Sequence, residues 1–110
     1  MSTPADTLLV LTNLPDADSA RHIARQLIEG HLAACVNILP GCISVYHWKG
    51  QVEEAHEIPL LIKTTRERYP DLEAALLKAH PYELPEIVAI PLQQGLPGYL
   101  AWVAAETSCP

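Results

Sequence analysis

The chain has 110 residues, 49% hydrophobic and 18% charged, with thirteen Asp and Glu against seven Lys and Arg for a formal charge of −6. This length and apolar fraction fit one domain over 1–110 with an ordinary core and exclude a disordered tail. The acidic balance excludes the basic footprint of a nucleic-acid binder, and no apolar run approaches the roughly 18 residues of a membrane span.

Leu8-Leu9-Val10-Leu11 is a continuous apolar run, the pattern of a central strand covered on both faces, or covered on one face by helices and on the other by another subunit. Pro15 and Asp16 end it, and Asp16 or Asp18 suits the N-cap of a helix. Ala20, Ile23, Ala24, Leu27 and Ile28 then recur at helical spacing opposite Arg21, His22, Arg25 and Glu29, with Gly30 as the stop. Residues 32–48 read as one extended segment that turns at Lys49-Gly50 and returns over 51–65. Pro59 lacks an amide proton, so the ladder is expected to break there.

Thr64 and Glu67 have capping-box spacing, but Pro70 favours a loose turn at 66–69 and a helix from Pro70 to Ala79. Leu72, Ala75, Leu76 and Ala79 make its inner face. A short buried strand, Glu86–Ile90, lies between prolines. Leu96–Glu106 reads as a last helix with Tyr99, Leu100 and Val103 inward and Trp102 as a further candidate. Three cysteines, at 35, 42 and 109, give neither a disulfide framework nor a zinc knuckle. Cys35 reads as a small buried hydrophobe and Cys109 as exposed. Met1 to Asp6 lacks the basic and apolar pattern of a signal peptide, which makes the cytosol the default.

The order strand, helix, strand, strand, helix, strand, helix is α+β: a ferredoxin-like split βαβ sandwich with a long hairpin and an extra C-terminal helix. Two helices on one face of the sheet leave the other face to be covered. Seventeen extended residues reach about 55 Å, against a domain diameter of roughly 35 Å. The segment therefore bends at Pro40-Gly41, or its tip leaves the domain. By alternation Cys42, Ser44, Tyr46 and Trp48 share one face of that tip, with Glu53 and Glu57 beside them. An oligomer held by hairpins and sheet faces is expected.

Five blocks in order, Leu32-Ala33-Ala34-Cys35-Val36-Asn37, Tyr46-His47-Trp48-Lys49-Gly50, Leu61-Ile62-Lys63-Thr64, His80-Pro81-Tyr82-Glu83-Leu84-Pro85-Glu86-Ile87 and Tyr99-Leu100-Ala101-Trp102, resemble the CutA family of divalent-cation tolerance proteins. The resemblance runs from about Leu8 to Trp102. It implies a stable cytosolic homotrimer, built like that of PII signal proteins with clefts between subunits, and a role in tolerance to metals such as copper. Where some copper-associated members carry a cysteine at the end of the first strand, this chain has Thr12 or Asn13. Where some carry two histidines before Pro-Tyr, it has Ala79 and His80. A soft Cu(I) site there would lack its thiolate.

His80, Glu83 and Glu86 are the local cluster whose side chains could take a divalent ion such as copper or zinc, with no cofactor obligatory. The plainer reading makes His80 a helix C-terminal residue whose ring the dipole partly protonates. His47 and His56 share a hairpin face but stand four rungs apart, about 13 Å, too far to chelate one ion. Tyr46, Trp48, Glu57, Lys63, Tyr82 and Trp102 are the candidates for a cleft between subunits. Lys63 would hold an anion there, or pair with a carboxylate such as Glu86. No base stands beside Cys35 or Cys42, so an enzyme is not expected. The functions in competition are a trimeric metal-response protein, a PII-like module binding a small anion or nucleotide, and a trimeric anchor for a partner protein.

Overall fold

The computed structural model describes residues 6–108, so the expectations for residues 1–5 and for Cys109 lie outside the described residues. In chain order come β1 (Thr7–Leu14), α1 (Ala17–Glu29), β2 (Cys35–Ile38), β3 (Cys42–Trp48), β4 (Gln51–Thr65), α2 (Tyr69–Ala79), β5 (Val88–Pro91) and α3 (Pro97–Glu106). The expected elements are all present. The last strand starts two residues later than expected and is exposed rather than buried, because β5 is an edge strand of the sheet, and the long extended segment is divided into β2 and β3. The result is a mixed α+β fold: an antiparallel sheet in the order β2-β4-β1-β5, with β3 paired to the first half of β4.

Alternation along the strands sorts the sheet into two faces. Leu8, Val10 and Leu14 of β1 stand on the same face as Leu60 and Ile62 of β4 and pack against Ala20, Ile23 and Leu27 of α1 and Leu72 and Leu76 of α2. Asp16 is the N-cap of α1; its side chain accepts the Ser19 amide proton at 2.7 Å. Thr64 and Glu67 form no capping box, and a turn over 66–68 leads into α2, in keeping with the loose turn expected from Pro70. Thr64 is fully buried and its hydroxyl donates instead to the Leu32 carbonyl at 2.7 Å.

The other face carries Leu9, Leu11, Leu61 and Lys63. Here α3 lies against β1 and β4 through Leu100 and Val103, both buried. Tyr99 and Trp102 do not point inward as expected: they are 37% and 43% exposed, with ring centroids 5.5 Å apart. Ten residues of helix turn only one narrow stripe toward the sheet, and Leu100 and Val103 fill it. Cys35 is half-buried rather than buried, because it lies on β2 at the sheet's edge with Tyr99 beside it.

Pro59 does not interrupt β4, which runs unbroken from Gln51 to Thr65. The break falls on the neighbouring strand. Ile38 pairs with Leu60 and Cys42 with Glu57, so three residues (39–41) face two (58–59), a bulge in β2–β3. A strand residue points its amide and carbonyl to the same side. The Pro59 carbonyl accepts from Leu39 on the β2 side, so the missing proton also faces the place where Pro40 and Gly41 interrupt the partner. Beyond the bulge, β3 and β4 continue as a two-stranded ribbon closed by Lys49 (φ 51) and Gly50 (φ 80). Two positive φ values make the tight hairpin turn that matches strand twist. The ribbon stretches the chain to 47 Å against 26 and 23 Å across, so the strand bends and its tip leaves the body.

Candidate functional site: an acid and aromatic cavity at the root of the ribbon

The ribbon's register pairs Cys42 with Glu57, Ser44 with Ala55, Tyr46 with Glu53 and Trp48 with Gln51. All eight side chains therefore stand on one face, as alternation predicts. Ile43 pairs with His56 and His47 with Val52, which keeps the two histidines four rungs apart as expected. Facing the ribbon is the segment after α2, from His80 to Glu86. Between them lies an open cavity of about 800 Å³ whose lining includes Tyr46, Trp48, His56, Glu57, Tyr82, Glu83 and Glu86, with Asn13 at the end of β1. No Lys or Arg belongs to the lining.

His80 fixes the segment in place. Its backbone amide closes α2 onto the Leu76 carbonyl at 2.8 Å. Its ring turns back under the sheet, 7% exposed, with Nε2 2.9 Å from the Asn13 carbonyl and 3.2 Å from Thr12 Oγ1. On the other side Nδ1 accepts the Tyr82 amide proton at 3.2 Å. A carbonyl only accepts and a backbone amide only donates, so the ring is the neutral tautomer with its proton on Nε2. Burial lowers its pKa from 6.5, outweighing the Asn13 carbonyl and the Glu57 charge, which raise it. The partly protonated ring expected at a helix C-terminus does not occur, because desolvation exceeds the dipole's pull.

The turn at His80-Pro81 aims Tyr82 into the cavity, its ring 4.9 Å from that of His80. Its hydroxyl stands beside the Glu57 carboxylate, and burial chiefly, with that neighbour added, pushes the Tyr82 phenol well above its usual 10. Glu57 itself is 8% exposed. At the rim, Glu83 lies 3.6 Å from the Lys49 ammonium. Glu86 accepts a long 3.5 Å contact from the Asn13 amide.

The structure thus divides the residues expected to act together. Tyr46, Trp48, Glu57 and Tyr82 meet in the cavity, with Glu83 and Glu86 at its edge. Lys63 does not join them: its ammonium donates to Asn37 and makes no pair with Glu86. Trp102 lies on α3, also outside the lining. Nor do His80, Glu83 and Glu86 gather around one point. Among the described residues no three His, Cys, Asp or Glu are placed to hold an ion together. His80 has neither ring nitrogen free for one, since hydrogen bonds within the fold use both. Asn13 also lines the cavity; the sequence marks it only as one of the two places, with Thr12, where the resemblance puts a cysteine in some members, and not as a binding group of its own.

Comparison with known proteins bears on the same residues. A family model described as CutA1 divalent ion tolerance protein matches residues 8–106. The divalent-cation tolerance protein CutA of Thermus thermophilus is 46% identical over 99 residues, covering 90% of this chain and 96% of its own length. Human protein CutA is 39% identical over 104 residues, which span 94% of this chain and 58% of the human one. Among solved structures, CutA from Xylella fastidiosa superposes with a TM-score of 0.91 at 43% identity, covering 94% of this chain and 99% of that one. The Archaeoglobus fulgidus structure, described as a periplasmic divalent cation tolerance protein CutA, gives 0.90 at 32% identity, covering 93% and 99%. With the match extending through both walls of the cavity, the chain belongs to the CutA1 family of divalent ion tolerance proteins.

Proposed function

We propose that this chain serves cellular tolerance to divalent metal ions without catalysing a reaction. It acts as a cytosolic homotrimer of ferredoxin-like subunits joined in the PII manner. The observation that carries the ion-binding part is the make-up of the cavity. Glu57, Glu83 and Glu86 line it and no Lys or Arg does, so its field concentrates cations and repels anions. The same field disfavours the reading of a small-anion or nucleotide site at this place. Without a preformed set of three ligands, divalent copper or zinc binds weakly, through the exposed carboxylates of Glu83 and Glu86.

The trimer rests on the ribbon. Ile43, Val45 and Val52 are each more than 60% exposed in the single chain. Apolar side chains clustered on a protruding edge ribbon call for a partner strand or face. Sedimentation equilibrium is expected to give three times the 12.1 kDa chain mass, and Ile43→Glu with Val45→Glu to release folded monomer. A wild-type species at the chain mass would remove the trimer. For the metal role, calorimetric titration with Cu²⁺ and Zn²⁺ is expected to give weak saturable heats, reduced at least fivefold in affinity by Glu83→Gln with Glu86→Gln. Equal affinities in the two proteins would place the ions elsewhere.

A further inference from the structure

The register of β2 on β4 sets Cys35 directly opposite Lys63. Side chains paired in this way leave the sheet on the same face, with their β-carbons roughly 4.5–5.5 Å apart. Both then turn to one atom. The Lys63 ammonium donates to Asn37 Oδ1, and the Cys35 thiol donates to the same oxygen at 3.9 Å. A thiol and an amine are therefore held together by the ladder of a single chain, and the neighbouring subunits have no part in bringing them there. Each residue is half-buried. The Tyr99 hydroxyl stands beside the thiol, its phenol held above the usual 10 chiefly by burial. Cys42 has a different setting: it pairs across the ribbon with Glu57 and meets the Ser44 hydroxyl at 3.9 Å.

An oxidised thiol reacts with the nucleophile held beside it. A sulfenic acid condenses with a neighbouring thiol or nitrogen, and a neutral amine carries the lone pair that this needs. We propose that Cys35 and Lys63 form a redox-sensitive pair, joined by a sulfur–nitrogen bond when hydrogen peroxide reaches the thiol. In the first step the Cys35 sulfur attacks one peroxide oxygen. The O–O bond breaks, the sulfur becomes a sulfenic acid and water leaves. In the second step the ammonium gives one proton to solvent and the Nζ lone pair attacks the sulfur. The S–N bond forms, the S–O bond breaks, and the hydroxide departs as water with a second Lys63 proton. Thiol, amine and peroxide thus yield the S–N link and two waters, the sulfur losing the two electrons that the peroxide gains. The link fastens the edge strand β2 to β4 and removes the Lys63 charge, and a thiol reductant reverses it. Neither step uses the cavity or a metal ion, so the pair stands or falls separately from the function proposed above.

The test treats the full-length protein with hydrogen peroxide and maps it by non-reducing trypsin digestion and mass spectrometry, with dimedone added to trap sulfenic acids. The wild type is expected to give one joined peptide containing Cys35 and Lys63, lighter by two hydrogens than its parts, uncut after Lys63 and released by dithiothreitol. Lys63→Arg keeps the charge but offers no amine, so its Cys35 should take up dimedone several-fold more than in the wild type, while labelling of Cys42 is the same in both. The wild-type map decides the question by itself if Lys63→Arg fails to fold. Cys35 recovered unjoined after Cys42 has been oxidised, Cys35 joined to another cysteine instead, or equal dimedone labelling of Cys35 in the two proteins would overturn the proposal.

Discussion

Ile62→Ala is expected to lower the unfolding free energy by about 4 kcal/mol, in the upper half of the range for truncating a buried isoleucine. Ile62 is fully buried at the centre of the sheet, paired with Val10 on one side and Val36 on the other. Its side chain belongs to the cluster that includes Ile23, Leu27, Leu72 and Leu76 from both covering helices. With strands on both sides and helices above, nothing can collapse into the space left by three carbon atoms, so the cavity term persists beside the lost transfer energy. Urea unfolding at fixed protomer concentration measures the change, because the stability of an oligomer scales with concentration. Ile43 on the ribbon is the built-in contrast. In a lone chain it is mostly exposed, and its truncation would cost no more than about 0.5 kcal/mol. A loss below about 1 kcal/mol for Ile62→Ala would mean that the core is not organised around β4.

The same contrast explains what the sequence makes legible. The core face of β1 and β4 and the inner stripe of α1 follow from periodicity, because each buries one set of evenly spaced side chains. The ribbon register follows from Lys49-Gly50, since a two-residue turn fixes every pair behind it. That parity is why Tyr46, Trp48 and Glu57 can be placed together from the sequence alone. Parity says nothing of distance, however. Lys63 shares Glu57's strand but stands six residues further along, roughly 20 Å, where α3 rather than the ribbon is its neighbour. Pro59 shows a second limit. That a ladder must break is local chemistry, but which strand absorbs the break depends on the side to which the missing proton points. His80 shows a third: its partners Thr12 and Asn13 lie 68 and 67 residues earlier, so no motif around His80-Pro81-Tyr82 reveals that the ring is buried and used.

That burial leads to the other large effect. His80→Ala is expected to cost about 2–4 kcal/mol, because the Tyr82 amide and the Asn13 carbonyl would each lose a partner in a site closed to water. The cost should also depend on pH in a defined sense. In the folded protein His80 titrates below 6.5, chiefly through burial, so below that pH the unfolded chain binds the extra proton more readily. Stability then rises with pH through this window. The contribution is complete above about 6.5 and is lost as the pH falls through the depressed folded value. Protonation would put a second proton on Nδ1, against the Tyr82 amide that now donates to it, and would free the segment that carries Tyr82 into the cavity. Urea midpoints of wild type and His80→Ala measured from pH 7.5 to pH 5 should therefore converge toward acid. Parallel curves would show that the ring does not titrate in the fold. A variant of unchanged stability that had lost its Zn²⁺ heats would make His80 a metal ligand after all, and the hydrogen bonds around it incidental.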